Sequence, residues 1–254
     1  MFQTYDYLSK LGVKMTKRKT KIRAQKLFNN LADMMEKDPE ETNNEVSLEV
    51  CSLEEIQVSK GLFSTTFEEA QKSGENLRMK KFRFQLLHQW LVQNFEPCRI
   101  ADIGGGKGFL TYLLQKSGWE ATVIDPVYQA LPEKYKDIGL DKRIKISGDE
   151  RVPHINKEFE TYHAKYFDLL VGMHAHACNV KIIDAAAKFN LNFVLLPCCI
   201  IDEPIHPMPG VHWLECLADY AIQKGFKLRP FRLNFRGQNN GFYSVGNTRH
   251  TNTT

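Results

Sequence analysis

The sequence predicts an α/β protein: a doubly wound, mostly parallel sheet with an antiparallel C-terminal strand, preceded by a helical extension at the N-terminus. Three observations carry this. First, the glycine turn Gly104-Gly105-Gly106-Lys107-Gly108 separates a short apolar strand with Ile100 and Ile103 from a helix with Leu110, Leu113 and Leu114 at helical spacing. Second, short apolar strands alternate with helical segments after that turn, the pattern of stacked βαβ units. Third, Leu169–Met173 is apolar throughout, as a strand buried on both faces of a parallel sheet requires.

Composition narrows the class further. A length of 254 residues suits one such domain plus an extension. At 43% hydrophobic and 25% charged residues, the chain is ordinary for a globular protein, which excludes disordered and fibrous classes. No apolar run reaches the ~18 residues of a membrane span. The opening Met1-Phe2-Gln3-Thr4-Tyr5-Asp6 leads into no apolar core of a secretion signal. Six cysteines in a chain this long do not make a disulfide framework, so a reducing, cytoplasmic setting is expected. With a net charge of only +4, any nucleic-acid contact must rest on a local patch.

Such a patch lies in residues 1–60, which read as a basic helical extension apart from the domain at 61–254. Lys14, Lys17, Arg18, Lys19, Lys21, Arg23 and Lys26 fall within thirteen positions that hold no acid. Leu27, Leu31, Met34 and Met35 continue at helical spacing, giving a helix over 16–37 that Asp38-Pro39 ends. The run is either a solvated face or an arm that contacts RNA phosphates. Ser52-Leu53-Glu54-Glu55 has the form of a capping box and opens a short helix.

The domain follows in order. Leu77, Phe84, Leu87, Trp90 and Leu91 form the apolar stripe of a helix over 76–95, and Pro97 separates it from the first strand, 98–103. Helix 109–117 leads to strand 120–125. A third strand is placed at 143–147, a fourth at 169–173 and a fifth at 192–196, with a helix over 180–189 between the last two. A helix over 211–224 and strands 226–234 and 241–246 close the domain.

Ligands of open α/β sheets bind beyond the carboxyl ends of the strands, and the chemistry-bearing residues fall there. Asp102 stands two positions before the first glycine. A dinucleotide pyrophosphate at this helix start would face that carboxylate badly, which disfavours an NAD-dependent dehydrogenase. A P-loop is excluded because no Gly-Lys-Ser/Thr follows. A ligand with an ammonium group suits Asp102, and Lys107 is positioned for that ligand's carboxylate. Asp125, twenty-three positions after Asp102, ends the second strand where an acid holds ribose hydroxyls.

Asp102, Gly104, Gly106 and Gly108, written Asp-x-Gly-x-Gly-x-Gly, resemble motif I of class I S-adenosylmethionine-dependent methyltransferases. The resemblance implies S-adenosylmethionine as cofactor, held by Asp102, Gly104, Gly106, Lys107, Gly108 and Asp125, with Asp149 near the adenine amino group. His174-Ala175-His176-Ala177-Cys178 and Pro197-Cys198-Cys199 sharpen it. They are similar to the His-Ala-Cys-Gly and Pro-Cys-Cys-His motifs of a subgroup that includes tRNA acceptor-stem ribose methyltransferases. The chain departs from that pattern either at Asn179, where the subgroup has Gly, or, with His174-Ala175 as the match, at His176-Ala177 in place of Cys-Gly, and also at Ile200, where it has His.

This resemblance implies RNA as acceptor. A non-catalytic cofactor-binding module, or an enzyme acting on protein or a small molecule, are the alternatives. The chain has no Asn/Asp-Pro-Pro-Tyr/Phe after the fourth strand, which disfavours exocyclic amines. The catalytic candidates are His174 as general base (His176 in the other register) and Cys198 or Cys199 as nucleophile on a pyrimidine ring. His174, His176, Cys178, Cys198 and Cys199 are also five potential metal ligands near two strand ends. Their spacing is unlike a zinc knuckle and adjacent cysteines chelate one ion poorly, so no metal is assigned.

Overall fold

The computed structural model describes residues 77–208 and 211–246. The basic run, the helix at 16–37, the capping box at Ser52 and the boundary near residue 60 lie outside them. Seven strands form the main sheet: β1 (Arg99–Ile103), β2 (Glu120–Ile124), β5 (His154–Ile155), β6 (Leu169–Met173), β7 (Asn192–Leu196), β8 (Lys227–Arg232) and β9 (Asn240–Val245). Their order is β5-β2-β1-β6-β7-β9-β8. Every pairing from β5 to β7 is parallel, and β9 runs antiparallel to both of its neighbours. The helices are α1 (Arg83–Asn94), α2 (Phe109–Lys116), α3 (Asn179–Phe189) and α4 (Trp213–Gln223). This is the Rossmann-like arrangement that the sequence implies.

Alternation along the strands builds a core on each face of the sheet. On β7, Phe193 and Leu195 join the cluster under α3 and α4, with Ile182, Ile183, Leu217 and Tyr220. Val194 and Leu196 point the other way, toward Leu87 and Leu91 of α1 and Leu110 and Leu114 of α2. Trp90 closes that second layer by stacking on Phe231, with ring centroids 4.2 Å apart. The chain leaves β1 outward to β2 and β5, then crosses back to β6. That reversal opens a crevice at the carboxyl ends of β1 and β6, where ligands of such sheets bind.

The sequence misplaces one strand. Arg143–Lys145 is extended (β4), but it pairs antiparallel with β3 (Lys134–Lys136) in a separate two-stranded sheet. The third parallel strand is β5, only two residues long and paired to Val123 and Ile124. Asp149 and Glu150 therefore follow a hairpin strand and precede β5. Glu150 pairs with Lys116 at the far end of α2. Asp149 is exposed, accepts a hydrogen bond from the Ser147 hydroxyl and lines neither the 340 Å³ nor the 860 Å³ cavity at the crevice. Just beyond β5, Glu158 and Phe159 reach the crevice, and Glu158 is the acid of the two.

Four cysteines (Cys98, Cys178, Cys198 and Cys199) are free thiols. Cys216 is disulfide-bonded, which the cysteine content did not lead us to expect. No helix among the described residues is long and apolar enough to cross a membrane.

Candidate cofactor and acceptor sites

Two cavities meet at the crevice. The smaller, 340 Å³, lies between Gly104, Asp125, Pro126, Glu158 and the Ala175–Cys178 turn. The larger, 860 Å³, lies on the other side of Gly104, between the glycine turn, the start of α1 and the β3–β4 hairpin. Gly104 and His174 line both.

The glycine turn is shaped by what lies beneath it. Gly108 caps α2 in the left-handed region (φ 68°), and a Cβ there would sit 2.6 Å from Val152 Cγ2. It packs against Val152 and lines neither cavity, whereas Gly104, Gly105 and Gly106 line the larger one. Asp102 is buried under the turn and accepts a 2.9 Å hydrogen bond from the Thr111 hydroxyl. A Cβ on Gly105 would meet its Oδ2 at 2.6 Å. Burial pushes the Asp102 carboxyl up to about 6, against the opposing pull of Thr111. Asp102 is thus a buried carboxyl beneath the turn and lines neither cavity.

Asp125 and Glu158 are the two carboxylates at the wall of the smaller cavity, and Asp125 is the one bonded to the glycine turn. Its Oδ2 accepts from the Gly106 N–H at 3.0 Å and its Oδ1 from the Val127 N–H at 2.9 Å. A carboxylate offers about four lone-pair sites, so about two remain for a pair of ligand hydroxyls. Lys107 is exposed at the rim of the larger cavity.

His174 follows β6 with φ 56°, and Ala177 with φ 58°, so two residues with side chains occupy the left-handed region in one turn. The His174 N–H donates to the Leu196 carbonyl, which ties the turn to β7. Its ring Nε2 lies 3.0 Å from the Gln238 carbonyl oxygen. A carbonyl only accepts, so Nε2 carries the proton and Nδ1 keeps its lone pair. Burial pushes the imidazole down to about 4, opposed by the Gln238 bond and helped by Lys80 and Arg83. His174 is therefore a neutral imidazole at pH 7 with a defined tautomer.

His176, Cys198 and Cys199 form a separate group. The Cys199 thiol lies 3.0 Å from His176 Nδ1, and the Cys198 thiol lies 3.4 Å from His176 Nε2 and 3.7 Å from Cys199 Sγ. The Cys198 S–H donates to Cys199, which holds Cys199 down to about 5 and pushes Cys198 up. Neither thiol lines the two cavities, and Cys178, raised to about 11 by burial, stays outside the group.

Two features escaped sequence reading. The buried carboxylate of Glu203 caps α3: Oε1 accepts from the Asn179 N–H and side-chain amide at 2.8 and 2.7 Å, and Oε2 from the Val180 N–H at 3.1 Å. It ties the segment after β7 to the turn after β6. Truncation to Glu203→Ala removes the acceptor of the Asn179 and Val180 N–H groups and lowers unfolding stability by about 1–2 kcal/mol, as for other lost helix caps. Urea unfolding measures this.

The second feature is the β3–β4 hairpin. Tyr135 packs on Phe109 with centroids 4.9 Å apart, and Gln85 anchors the hairpin through the Lys136 carbonyl and the Ile138 N–H. Lys134 sits opposite Lys145, and Lys136 opposite Arg143. The signal in the sequence was Lys-Tyr-Lys against Arg-Ile-Lys, alternation that places cations together on one face. Lys81, Arg83, Lys107, Lys134, Lys136 and Arg143 line the larger cavity, and no acid does among the described residues.

No protein-family model matches the chain. Over 110 residues it is 33% identical to a protein of Caenorhabditis elegans named probable tRNA (uracil-O(2)-)-methyltransferase. A Caenorhabditis briggsae protein of the same name is 30% identical over 117 residues. Each match covers 41% of this chain and 18% of the relative, so the chain spans under a fifth of the length of the curated relatives it matches. Among solved structures, a SAM-dependent methyltransferase from Archaeoglobus fulgidus is 13% identical with a TM-score of 0.38, covering 71% of this chain and 98% of that one. Magnesium protoporphyrin IX methyltransferase from Synechocystis, with bound SAM, is 12% identical with a TM-score of 0.38, covering 76% and 97%.

Proposed function

We propose that this protein is an S-adenosylmethionine-dependent methyltransferase whose acceptor is RNA. The observation that carries the cofactor is Asp125, which grips Gly106 of the glycine turn and keeps lone pairs for a ribose diol. The cavity beside it has the volume for a ligand of this size, and Gly104 brings bare backbone to its wall. S-adenosylmethionine held there would supply an electrophilic methyl on a sulfonium sulfur that transfer turns into a neutral thioether. Asp125 would hold the ribose in the smaller cavity, and the methionine end would pass Gly104 to Lys107 at the rim of the larger cavity, with Asp102 setting a negative field under the ammonium. His174 Nδ1 takes the proton of an acceptor hydroxyl as the oxygen bonds to the methyl carbon, and becomes imidazolium.

An RNA acceptor is supported by the larger cavity. Like charges directly opposite across a strand pair destabilise it. Asp141 pairs with Lys136 at 2.6 Å, but Lys134 opposite Lys145 stands beside the further cations of the cavity, an arrangement that a phosphate backbone offsets. The names of the two Caenorhabditis relatives point the same way. The arm with Lys14, Lys17, Arg18, Lys19, Lys21, Arg23 and Lys26 belongs to this proposal as a second phosphate contact.

The test is transfer of tritiated methyl from S-adenosylmethionine to separated RNA, protein and small-molecule fractions, with label expected in RNA. Label confined to protein or metabolites overturns the RNA acceptor. Calorimetry with S-adenosylmethionine tests the cofactor: Asp125→Ala loses about 1.5–3 kcal/mol of binding. Unchanged affinity in the folded variant overturns Asp125 as the ribose ligand.

A further inference from the structure

We propose that His176, Cys198 and Cys199 form a binding site for a thiophilic divalent cation, zinc in the cell, with three protein ligands and an open fourth position. The parallel register of two neighbouring strands creates the site. Met173, the last residue of β6, pairs with Leu196, the last of β7. His176 lies three residues beyond the first, and Cys198 and Cys199 two and three beyond the second. Ligands twenty-two positions apart in sequence thus start from adjacent strand ends.

The distances suit a tetrahedral ion. Two sulfurs at ~2.3 Å from one zinc lie about 3.8 Å apart, and a sulfur and an imidazole nitrogen about 3.5 Å apart. The Cys198 and Cys199 Sγ atoms are 3.7 Å apart. His176 Nδ1 lies 3.0 Å from Cys199 Sγ and 3.9 Å from Cys198 Sγ, so it straddles the pair and needs a shift of about 0.5 Å to balance them. All three ligand atoms fall within 4.8 Å of one another.

Adjacent cysteines were expected to diverge, because side chains alternate along an extended strand. Cys198 and Cys199 lie past the end of β7, where Pro197 has left the strand and the alternation no longer holds. Two thiols and one imidazole are a soft donor set, which selects zinc or copper(I) over magnesium, calcium or manganese.

The ion would pin the turn that carries His174 to the segment after β7, beside the Glu203 cap but independently of it. The proposal does not rest on methyl transfer. It is read from metal content, whether or not the protein is an enzyme.

The experiment uses the full chain, purified without a tag or chelator. Elemental analysis should give about one zinc per chain. Cys198→Ser, Cys199→Ser and His176→Gln should each lower this to below about a fifth, while Cys98→Ser, away from the cluster, leaves it unchanged. Cobalt(II) replacement in the native protein should give a thiolate-to-cobalt charge-transfer band and tetrahedral visible bands. This second readout needs no variant to fold. Zinc below about a tenth per chain after equilibration with the metal, together with no cobalt–thiolate band, overturns the proposal. So does a Cys198–Cys199 disulfide in the natively purified protein, or stoichiometric zinc that survives all three ligand variants.

Discussion

Replacing His174 by Ala lowers turnover by about 10²–10⁴-fold and leaves S-adenosylmethionine affinity within about twofold. The split follows from position. His174 lines both cavities and Asp125 only the smaller, so in the proposed reading His174 stands beside the transferred methyl while Asp125 holds the ribose away from it. The Gln238 carbonyl fixes its tautomer and leaves Nδ1 as the proton acceptor. Single-turnover methyl transfer with saturating cofactor isolates the effect.

The pH dependence of that rate gives a second reading of the same residue. An ordinary imidazole would lose its base form near 6.5. Burial takes His174 down to about 4, so the wild-type rate should hold flat from neutral pH through 6 and fall only toward 4. The sign for stability agrees. Between about 4 and 6.5 the unfolded histidine binds protons that the folded one does not, so this group's contribution is complete above 6.5 and is lost as pH falls toward 4. A His174→Ala enzyme with more than a third of wild-type turnover, or a wild-type rate that halves near 6.5, removes His174 as the base.

The sheet was readable because its central strands are written locally. Ile100–Ile103, Leu169–Met173 and Asn192–Leu196 are short apolar runs bounded by turns, and each is a strand of the main sheet. The glycine turn was readable for a similar reason: backbone at positive φ calls for glycine, and Gly104, Gly106 and Gly108 occupy it. What failed were the partners. Arg143–Lys145 has the alternation of a strand and is one, but nothing within it says that it pairs with Lys134–Lys136 and not with β2. The true edge strand is two residues long, too short to leave a period.

The same limit applies at the site. That Asp102 is buried depends on Thr111 and on how α2 packs, and Glu203 finds the α3 amides across twenty-four positions of chain. The meeting of His176 with the two thiols depends on the Met173–Leu196 register, a property of the sheet and of no single segment. The sequence grouped five potential metal ligands at the strand ends, and the register selects three of them.

Asp102→Asn should move stability and cofactor affinity in opposite directions. The folded carboxyl titrates at about 6, above its ordinary 3.8, so the folded state binds more protons than the unfolded state between those values. Stability from this group is therefore fully present below 3.8 and is lost as pH rises through about 6. At pH 7 the buried charge is a cost. The neutral amide removes it while its oxygen still accepts from the Thr111 hydroxyl, so the variant gains up to about 3 kcal/mol of unfolding stability at pH 7. The gain shrinks toward zero near pH 4. The same charge supplies the negative field beneath Gly105, where the ammonium of S-adenosylmethionine is proposed to sit. Losing it weakens the cofactor about tenfold or more, since one charge pair near a protein surface contributes more than about 1.4 kcal/mol. Urea unfolding at pH 7 and pH 4.5, paired with calorimetry at pH 7, measures both. A variant less stable than wild type at pH 7 contradicts the buried-charge account, and one that is more stable yet binds S-adenosylmethionine unchanged removes Asp102 from the cofactor site.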